Sequence, residues 1–367
     1  MLKILSIFGT RPEAIKMAPV IRAMRQQADL FEVKVCVTAQ HRGMLDSSLK
    51  LFEIDPDYDL DIMSEGQSPS RVAAAVLEKL EPVLKKEQAG WLLIQGDTTT
   101  AAAAALAGFH AGLRVAHIEA GLRTRNKWQP FPEEINRRIV SLLADLHFAP
   151  TENARQNLID EGIESDRISV TGNPGIDALK LMLQRPVPAE VSSLLDGLPV
   201  ILVTAHRREN FGRPLENICR ALLEIARRYC GSIRIIYPVH RNPQVDLPVR
   251  QLLGGVEGII LRDPMDYQSL VHLAQRSFAI VTDSGGLQEE AASLGKPVLV
   301  LRNVTERPEV VNAGVGRVVG LETESIVTEI SRLREDREAY RSMSIATDVY
   351  GDGHASERIL SALLGFR

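Results

Sequence analysis

Short apolar runs alternate along the chain with longer stretches in which apolar positions recur every three or four residues. In the first half the runs are 2–8, 33–38, 91–95 and 115–118, with a helix-like stretch at 101–107. The same rhythm restarts at 199–204 and continues through 233–238, 278–282 and 297–301. Runs this short, punctuated by Gly, Pro or Asp, fit strands, and the amphipathic stretches between them fit helices. Strands alternating with helices predict the α/β class, with two doubly wound parallel sheets. The expected boundaries are a first domain over 1–171, a polar, proline-bearing linker or hinge over 172–198, a second domain over 199–352 and a closing segment over 353–367. In open sheets of this kind ligands sit beyond the carboxyl ends of the strands, so two such domains are expected to face a cleft that holds the site.

Composition narrows the possibilities. At 367 residues, 45% hydrophobic and 25% charged, the chain is long enough for two cores. A formal net charge of -4 supplies no basic surface for nucleic acid or anionic lipid. No apolar run is long enough to span a bilayer and no cleavage signal follows Met1, so a cytoplasmic protein without a membrane partner is expected. Cys36, Cys219 and Cys230 lie in apolar segments without metal-ligand spacing and read as buried, reduced thiols. Asp55, Asp57, Asp59 and Asp61 alternate as a solvated acidic edge would; nothing nearby completes a hard-cation site, and no metal is expected.

Candidate chemistry clusters at the ends of the predicted strands. After the first comes Gly9-Thr10-Arg11-Pro12-Glu13, in which Thr10 and Glu13 have capping-box spacing and Pro12 suits a first helical turn. A helix starting there offers free N–H groups to an anion, and Arg11 and Lys16 add full positive charges; an ordinary capped helix with solvated charges is the competing reading. Gly-x-Gly-x-x-Gly is absent, which removes the main support for a nicotinamide, and no cofactor is expected. Asp97, Glu119 and Glu133 also fall at strand ends or loops of the first domain. Singly, each is commonly a helix cap or an ion-pair partner; three together beside Arg11 and Lys16 point to carboxylates that tune one another.

In the second domain, Thr282-Asp283-Ser284-Gly285-Gly286 follows a strand, and its glycines let backbone approach a phosphate at a helix N-terminus, with the Ser284 hydroxyl as a further donor. Glu290, about a turn later, is placed to take both hydroxyls of a ribose, although an acidic residue there also stabilises a helix start. No Walker lysine motif accompanies them, which argues against an ATPase. His206-Arg207-Arg208 follows the second domain's first strand and suits phosphate binding; Arg307 could add another positive charge, and His240 is as fitting structurally as functionally.

Taken in order, Phe8-Gly-Thr-Arg-Pro-Glu-Ala-Ile-Lys-Met-Ala-Pro19, Thr38-Ala-Gln-His41, Gln95-Gly-Asp-Thr-Thr-Thr100, His117-Ile-Glu-Ala-Gly-Leu-Arg-Thr124, Pro130-Phe-Pro-Glu-Glu-Ile-Asn-Arg137, His206-Arg-Arg-Glu-Asn210, Asp283-Ser-Gly-Gly-Leu-Gln-Glu-Glu290 and Thr305-Glu-Arg-Pro-Glu309 closely resemble the non-hydrolysing UDP-N-acetylglucosamine 2-epimerases. The resemblance implies two Rossmann-like domains in the glycosyltransferase-B arrangement, a closing helix near 357–364 crossing back to the first, and a homodimer. It implies reversible inversion at C2 of UDP-N-acetylglucosamine, serving cell-surface polysaccharide, with Asp97, Glu119 and Glu133 as the acid/base set and His206 acting with them. Sugar and diphosphate contacts from Arg11, Lys16, Asp97, Glu119 and His206 follow, as do diphosphate and ribose contacts from Ser284, Gly285, Gly286 and Glu290, with help from Arg307. Uracil would lie near Met265 and Leu270. Gln40, His41 and Arg42 would contribute to a second, activating UDP-N-acetylglucosamine site. The chain departs from the pattern at Pro174-Gly175, where the family usually has Thr-Val. A glycosyltransferase or hydrolysing epimerase of the same fold, or a non-catalytic nucleotide-sugar sensor, are the alternatives.

Overall fold

The computed structural model describes residues 1–40, 42–64 and 66–366. They form two compact units: Met1–Lys180 together with the chain from Tyr350 onward, and Leu181–Val349. The first unit's strands are β1 Leu2–Phe8, β2 Phe31–Val37, β3 Tyr58–Asp59, β4 Trp91–Gln95, β5 Arg114–Ile118, β6 Leu146–Ala149 and β7 Ile168–Val170. They lie in the order β3-β2-β1-β4-β5-β6-β7, every pair parallel. Alternate side chains of a strand point to opposite faces. Ile4, Phe8, Val35 and Leu93 accordingly pack on one face with Met17, Ile21 and Ile359, while Leu5, Ile7, Leu92 and Ile94 pack on the other with Val76, Leu80 and Ala104. Both faces of the central strands are covered, which is why these read as mainly apolar runs.

The second unit repeats the plan with β8 Val200–Thr204, β9 Arg234–Pro238, β10 Ile259–Arg262, β11 Ala279–Thr282, β12 Val298–Val300 and β13 Gly316–Val318. These lie in the order β10-β9-β8-β11-β12-β13, again parallel throughout. In each sheet the chain winds outward from one central strand and returns to start again beside it, leaving a switch point between β1 and β4 and another between β8 and β11. Loops diverge there and open a crevice at the strands' carboxyl ends.

Four features bear on the sequence expectation, and the burial expected of Cys230 is corrected. The stretch 172–198 is largely helical, in Pro174–Leu183 and Ala189–Leu194; buried Val191 and Leu194 give the second helix an apolar face among its polar neighbours. The chain re-enters the first unit at Tyr350, where the helix Ala355–Gly365 packs on Arg11–Gln26. Its first amides, Ala355 N and Ser356 N, donate to the Asp177 carboxylate at 3.2 and 2.8 Å. Cys36 and Cys219 are buried, which pushes both thiols up to about 12, but Cys230 is exposed in the turn after the helix Arg213–Arg228, where no sheet covers it. Three of the four alternating aspartates are ion-paired: Asp57 takes Lys34 Nζ at 3.0 Å, and Asp59 and Asp61 both take the Arg42 guanidinium. Among the described residues no helix is long and apolar enough to cross a membrane.

Candidate functional site

At the β1/β4 switch point the helix Arg11–Gln26 begins directly beyond β1. Gly9 is required at the turn, because a Cβ there would lie 2.0 Å from Thr38 Oγ1. The capping box that the spacing of Thr10 and Glu13 predicts is present at the helix N-terminus. The buried Glu13 carboxylate folds back on it and accepts from Gly9 N at 3.0 Å, Thr10 N at 2.8 Å and the Thr10 hydroxyl at 2.8 Å. Its other oxygen accepts from the Thr98 hydroxyl at 2.7 Å, bridging to the loop after β4. Burial pushes the Glu13 carboxyl above its ordinary value, and these hydrogen bonds oppose that shift. Arg11, the first helical residue, is half-buried, and Lys16 is buried one turn further on.

Lys16 Nζ donates to Glu119 Oε2 at 2.6 Å, and the Gln95 side-chain amide donates to the same oxygen. Glu119 follows β5 directly, and its backbone φ of +66° is sparsely populated for a residue with a side chain. Ala120 N to Phe148 O at 3.0 Å and Gly96 N to Ile118 O at 2.9 Å hold that turn from both sides. The β4/β5 register pairs Gln95 with Ile118, so Asp97 and Glu119 leave adjacent strand ends within two residues of each other's level. His117, buried in β5, meets Gly96 O through Nε2 at 2.7 Å and steadies the Asp97 loop from beneath.

Glu133 opens the helix Glu133–Leu143. Asn136 and Arg137, three and four positions on, share its face. Asn136 Nδ2 donates to the Asp97 backbone oxygen at 2.9 Å, and Arg137 grips the Asp97 carboxylate through Nε at 2.9 Å and Nη2 at 2.7 Å. The structure thus joins Lys16 to Glu119 and Arg137 to Asp97 at the carboxyl ends of β1, β4 and β5, with Arg11 at the start of the helix after β1 and Glu133 at the start of the helix that carries Arg137. Glu134, which the sequence reading passes over, is fully buried and accepts from Thr124 N, Arg125 N and Arg137, pinning the preceding loop to the helix. Beside β2, Gln40 accepts from the Thr100 hydroxyl at 3.2 Å, and Arg42 opens the helix Arg42–Leu51. His41 lies outside the described residues.

At the second unit's switch point the helix Gly285–Ser293 starts beyond β11 with no side-chain cap from Ser284 and no acidic residue in its first turn. Open space surrounds the Gly286 Cα, whereas a Cβ on Gly285 would lie 2.4 Å from Arg307 Nη1. Only glycine allows that guanidinium to close over the helix start. Arg307 is not an isolated positive charge: it is buried between the Glu289 and Glu306 carboxylates, and Glu306 is shared with Arg302 at 2.6 Å. Glu290 Oε1 accepts from Tyr267 OH at 2.9 Å. Tyr267 opens the helix Tyr267–Arg276, which carries half-buried Leu270 and follows buried Met265. An open cavity of about 540 Å³ lies at the end of β10, lined by Arg262, Pro264 and Met265 among others.

Across the same switch point His206 follows β8. Its backbone N, Arg207 N and Asn210 Nδ2 all donate to Asp283 Oδ2, at 2.8, 2.8 and 3.0 Å. The His206 ring stacks on His240, centroids 5.4 Å apart at 9°. Asp283 is fully buried and carries no role in the sequence reading; its position at the strand end, between the β8 and β11 loops, is the signal that could have found it.

Each unit therefore presents one half of a recognisable set: acidic and basic groups in the first, an uncapped glycine helix start with a carboxylate beyond it in the second. Residues 22–364 match the family model described as UDP-N-acetylglucosamine 2-epimerase. A UDP-N-acetylglucosamine 2-epimerase of Yersinia pestis is 51% identical over 99% of this chain and 98% of its own length. The crystal structure of the Neisseria meningitidis UDP-GlcNAc 2-epimerase bound to UDP-GlcNAc is similar at a TM-score of 0.95 and 46% identity, covering 100% of both chains. That of the Methanocaldococcus jannaschii UDP-GlcNAc 2-epimerase in complex with UDP-GlcNAc and UDP is similar at 0.86 and 31% identity, covering 99% of both.

Proposed function

The chain belongs to the UDP-N-acetylglucosamine 2-epimerase family, and on that premise we propose that it interconverts UDP-N-acetylglucosamine and UDP-N-acetylmannosamine without net hydrolysis. The observation that carries this reading is the full-length likeness to relatives of that name, joined to carboxylates at adjacent strand ends of the first unit.

The C2 proton of the intact sugar is not acidic, so direct abstraction meets a prohibitive barrier. Anti-elimination lowers it. The C1–O bond breaks and UDP leaves with the electron pair, while a base takes the C2 proton, giving 2-acetamidoglucal. Protonation of C2 from the opposite face and return of UDP to C1 complete the inversion. Groups are needed on both faces of C2, which a single carboxylate cannot supply. Asp97, Glu119 and Glu133 form that set, with Lys16 and Arg137 fixing the first two in place.

The second unit supplies the nucleotide contacts in this reading: Ser284, Gly285 and Gly286 at the helix start for the diphosphate, Glu290 for the ribose, and Met265 and Leu270 for uracil. Arg11, Lys16 and His206, with Arg307 beside the helix start, stabilise the departing diphosphate. An activating site involving Gln40, His41 and Arg42 belongs to the same proposal, as do a cytoplasmic location and a homodimer. Support for the last is the exposed apolar stripe Ile135, Ile139 and Leu142 on the helix Glu133–Leu143. Sedimentation of Leu142→Asp against the parent protein tests it: a shift to monomer is expected, and an unchanged mass rejects this face.

The function itself is tested by incubating the protein with UDP-N-acetylglucosamine alone and following products by NMR. UDP-N-acetylmannosamine should accumulate to an equilibrium reached from either epimer. A hydrolysing epimerase would release free N-acetylmannosamine, a glycosyltransferase would wait for an acceptor, and a sensor would leave the substrate intact.

A further inference from the structure

Asp283 is a fully buried carboxylate whose two oxygens differ sharply. Oδ2 is saturated by His206 N, Arg207 N and Asn210 Nδ2. Oδ1 is equally buried and has no hydrogen-bond partner among the described residues, an arrangement that costs free energy unless something else makes use of it. The nearest titratable group is His206, whose Nδ1 stands 3.5 Å from Oδ1. The saturated oxygen fixes the backbone of His206, and the unsaturated one faces its ring.

The ring is confined on its flat side as well. His240 stacks on it nearly parallel, and His240 Nδ1 is itself held by Asn242 N at 3.1 Å. The ring thus has His240 across its face and the Asp283 carboxylate beside Nδ1. The side chain is 40% exposed, so the ring is held without being covered.

We propose that Asp283 is a positioning residue for His206, accepting Nδ1–H through its unsatisfied oxygen and so supporting the imidazolium whose Nε2–H donates to the leaving diphosphate. A carboxylate can only accept. It therefore selects the Nδ1–H form of a neutral imidazole and, when the ring takes a proton at Nε2, balances the charge that results. The logic is that of a carboxylate behind a catalytic imidazole, where the second ring nitrogen is set by the first. Catalytic contacts are commonly looser before substrate binds, so the 3.5 Å gap closes to a hydrogen bond in the complex. This inference rests on the reading that His206 acts at the diphosphate.

Asp283→Asn is the informative variant because its orientation is dictated. Three donors converge on the Oδ2 position, so the amide oxygen must take it and the NH2 must take the position facing His206. The loop keeps its anchor, but His206 now meets a donor and is driven to the Nε2–H tautomer. The expected result is a fall in kcat of at least about 10²-fold with KM and UDP affinity little changed. Asp283→Glu, which restores an acceptor, should recover part of the loss. A merely structural role for Asp283 would leave kcat of the folded Asn variant near that of the parent, and that outcome overturns the proposal.

A second measurement needs no turnover. Nitrogen NMR of the isotope-labelled protein, with the His206 signal assigned by its loss in His206→Gln, reads the tautomer directly. With UDP bound the parent should show Nδ1 protonated. Finding His206 as the Nε2–H tautomer rejects the role of Asp283 whatever the enzyme's activity. Finding Nδ1–H in a protein that fails to epimerise leaves the Asp283 contact standing and overturns the assigned reaction instead.

Discussion

The Glu13 carboxylate accepts the Thr98 hydroxyl at 2.7 Å, across 85 residues of sequence, and so ties the start of the helix after β1 to the loop that carries Asp97. Thr98 also caps its own helix, accepting from Ala101 N at 3.0 Å. Thr98→Val keeps the shape and removes both bonds; a loss of about 1–3 kcal/mol in urea unfolding is expected. Turnover should fall as well, because the Asp97 loop loses its tether. A variant as stable as the parent would show that the bridge contributes nothing.

Asp97 is engaged by Arg137 yet remains partly exposed beyond β4, a combination suited to a group that both holds a position and meets substrate. If it transfers a proton, Asp97→Asn should lower turnover by roughly 10²–10⁴-fold. UDP affinity by calorimetry should barely change, since the nucleotide contacts are assigned to the second unit. Near-normal turnover in the folded variant removes Asp97 from the acid/base set.

Glu290 is held by the Tyr267 hydroxyl and aligned with the helix start at Gly285. If Glu290 accepts the ribose hydroxyls, as proposed, Glu290→Gln should weaken UDP binding by about 1.5–3 kcal/mol. Tyr267→Phe, which only loosens the carboxylate, should cost about 1 kcal/mol. Unchanged UDP affinity in the first variant takes Glu290 out of the site.

Burial pushes His117 down to about 4 and His147 down to about 3. In the unfolded chain both titrate near pH ~6.5, so between these values the unfolded state binds the extra protons. The stability they contribute is fully present above pH ~6.5 and is lost progressively as pH falls toward the folded values. His147→Leu should move the acid-unfolding midpoint to lower pH, while a substitution at exposed His110 leaves it in place. An identical midpoint in His147→Leu contradicts this assignment of the acid sensitivity.

The central strands were legible because β1, β2, β4, β5, β8, β9, β11 and β12 leave mainly apolar runs bounded by turn residues. Strands β3, β7 and β13 are two or three residues long, and β6 is interrupted by His147, so their pattern is too brief to stand out. Asp97, Glu119 and Ser284 were legible for a related reason: an open parallel sheet puts its crevice at strand ends, and those residues sit at such ends. What the sequence could not reveal was who holds whom. Thr98 meets Glu13 from 85 residues away, Arg307 lies between two carboxylates, and Asp283 meets Asn210 from 73 residues away. Those are matters of burial and long-range pairing, which spacing along the chain does not carry.

The measurement closest to the central claim is the fate of the C2 hydrogen. The protein is incubated in deuterated water with UDP-N-acetylglucosamine and no added nicotinamide, metal or acceptor. Because groups on opposite faces of C2 remove and deliver the proton, the UDP-N-acetylmannosamine formed should carry deuterium at C2, with slow release of UDP and 2-acetamidoglucal beside it. Product that retained its original C2 hydrogen would contradict elimination and re-addition across the carboxylates of the first unit.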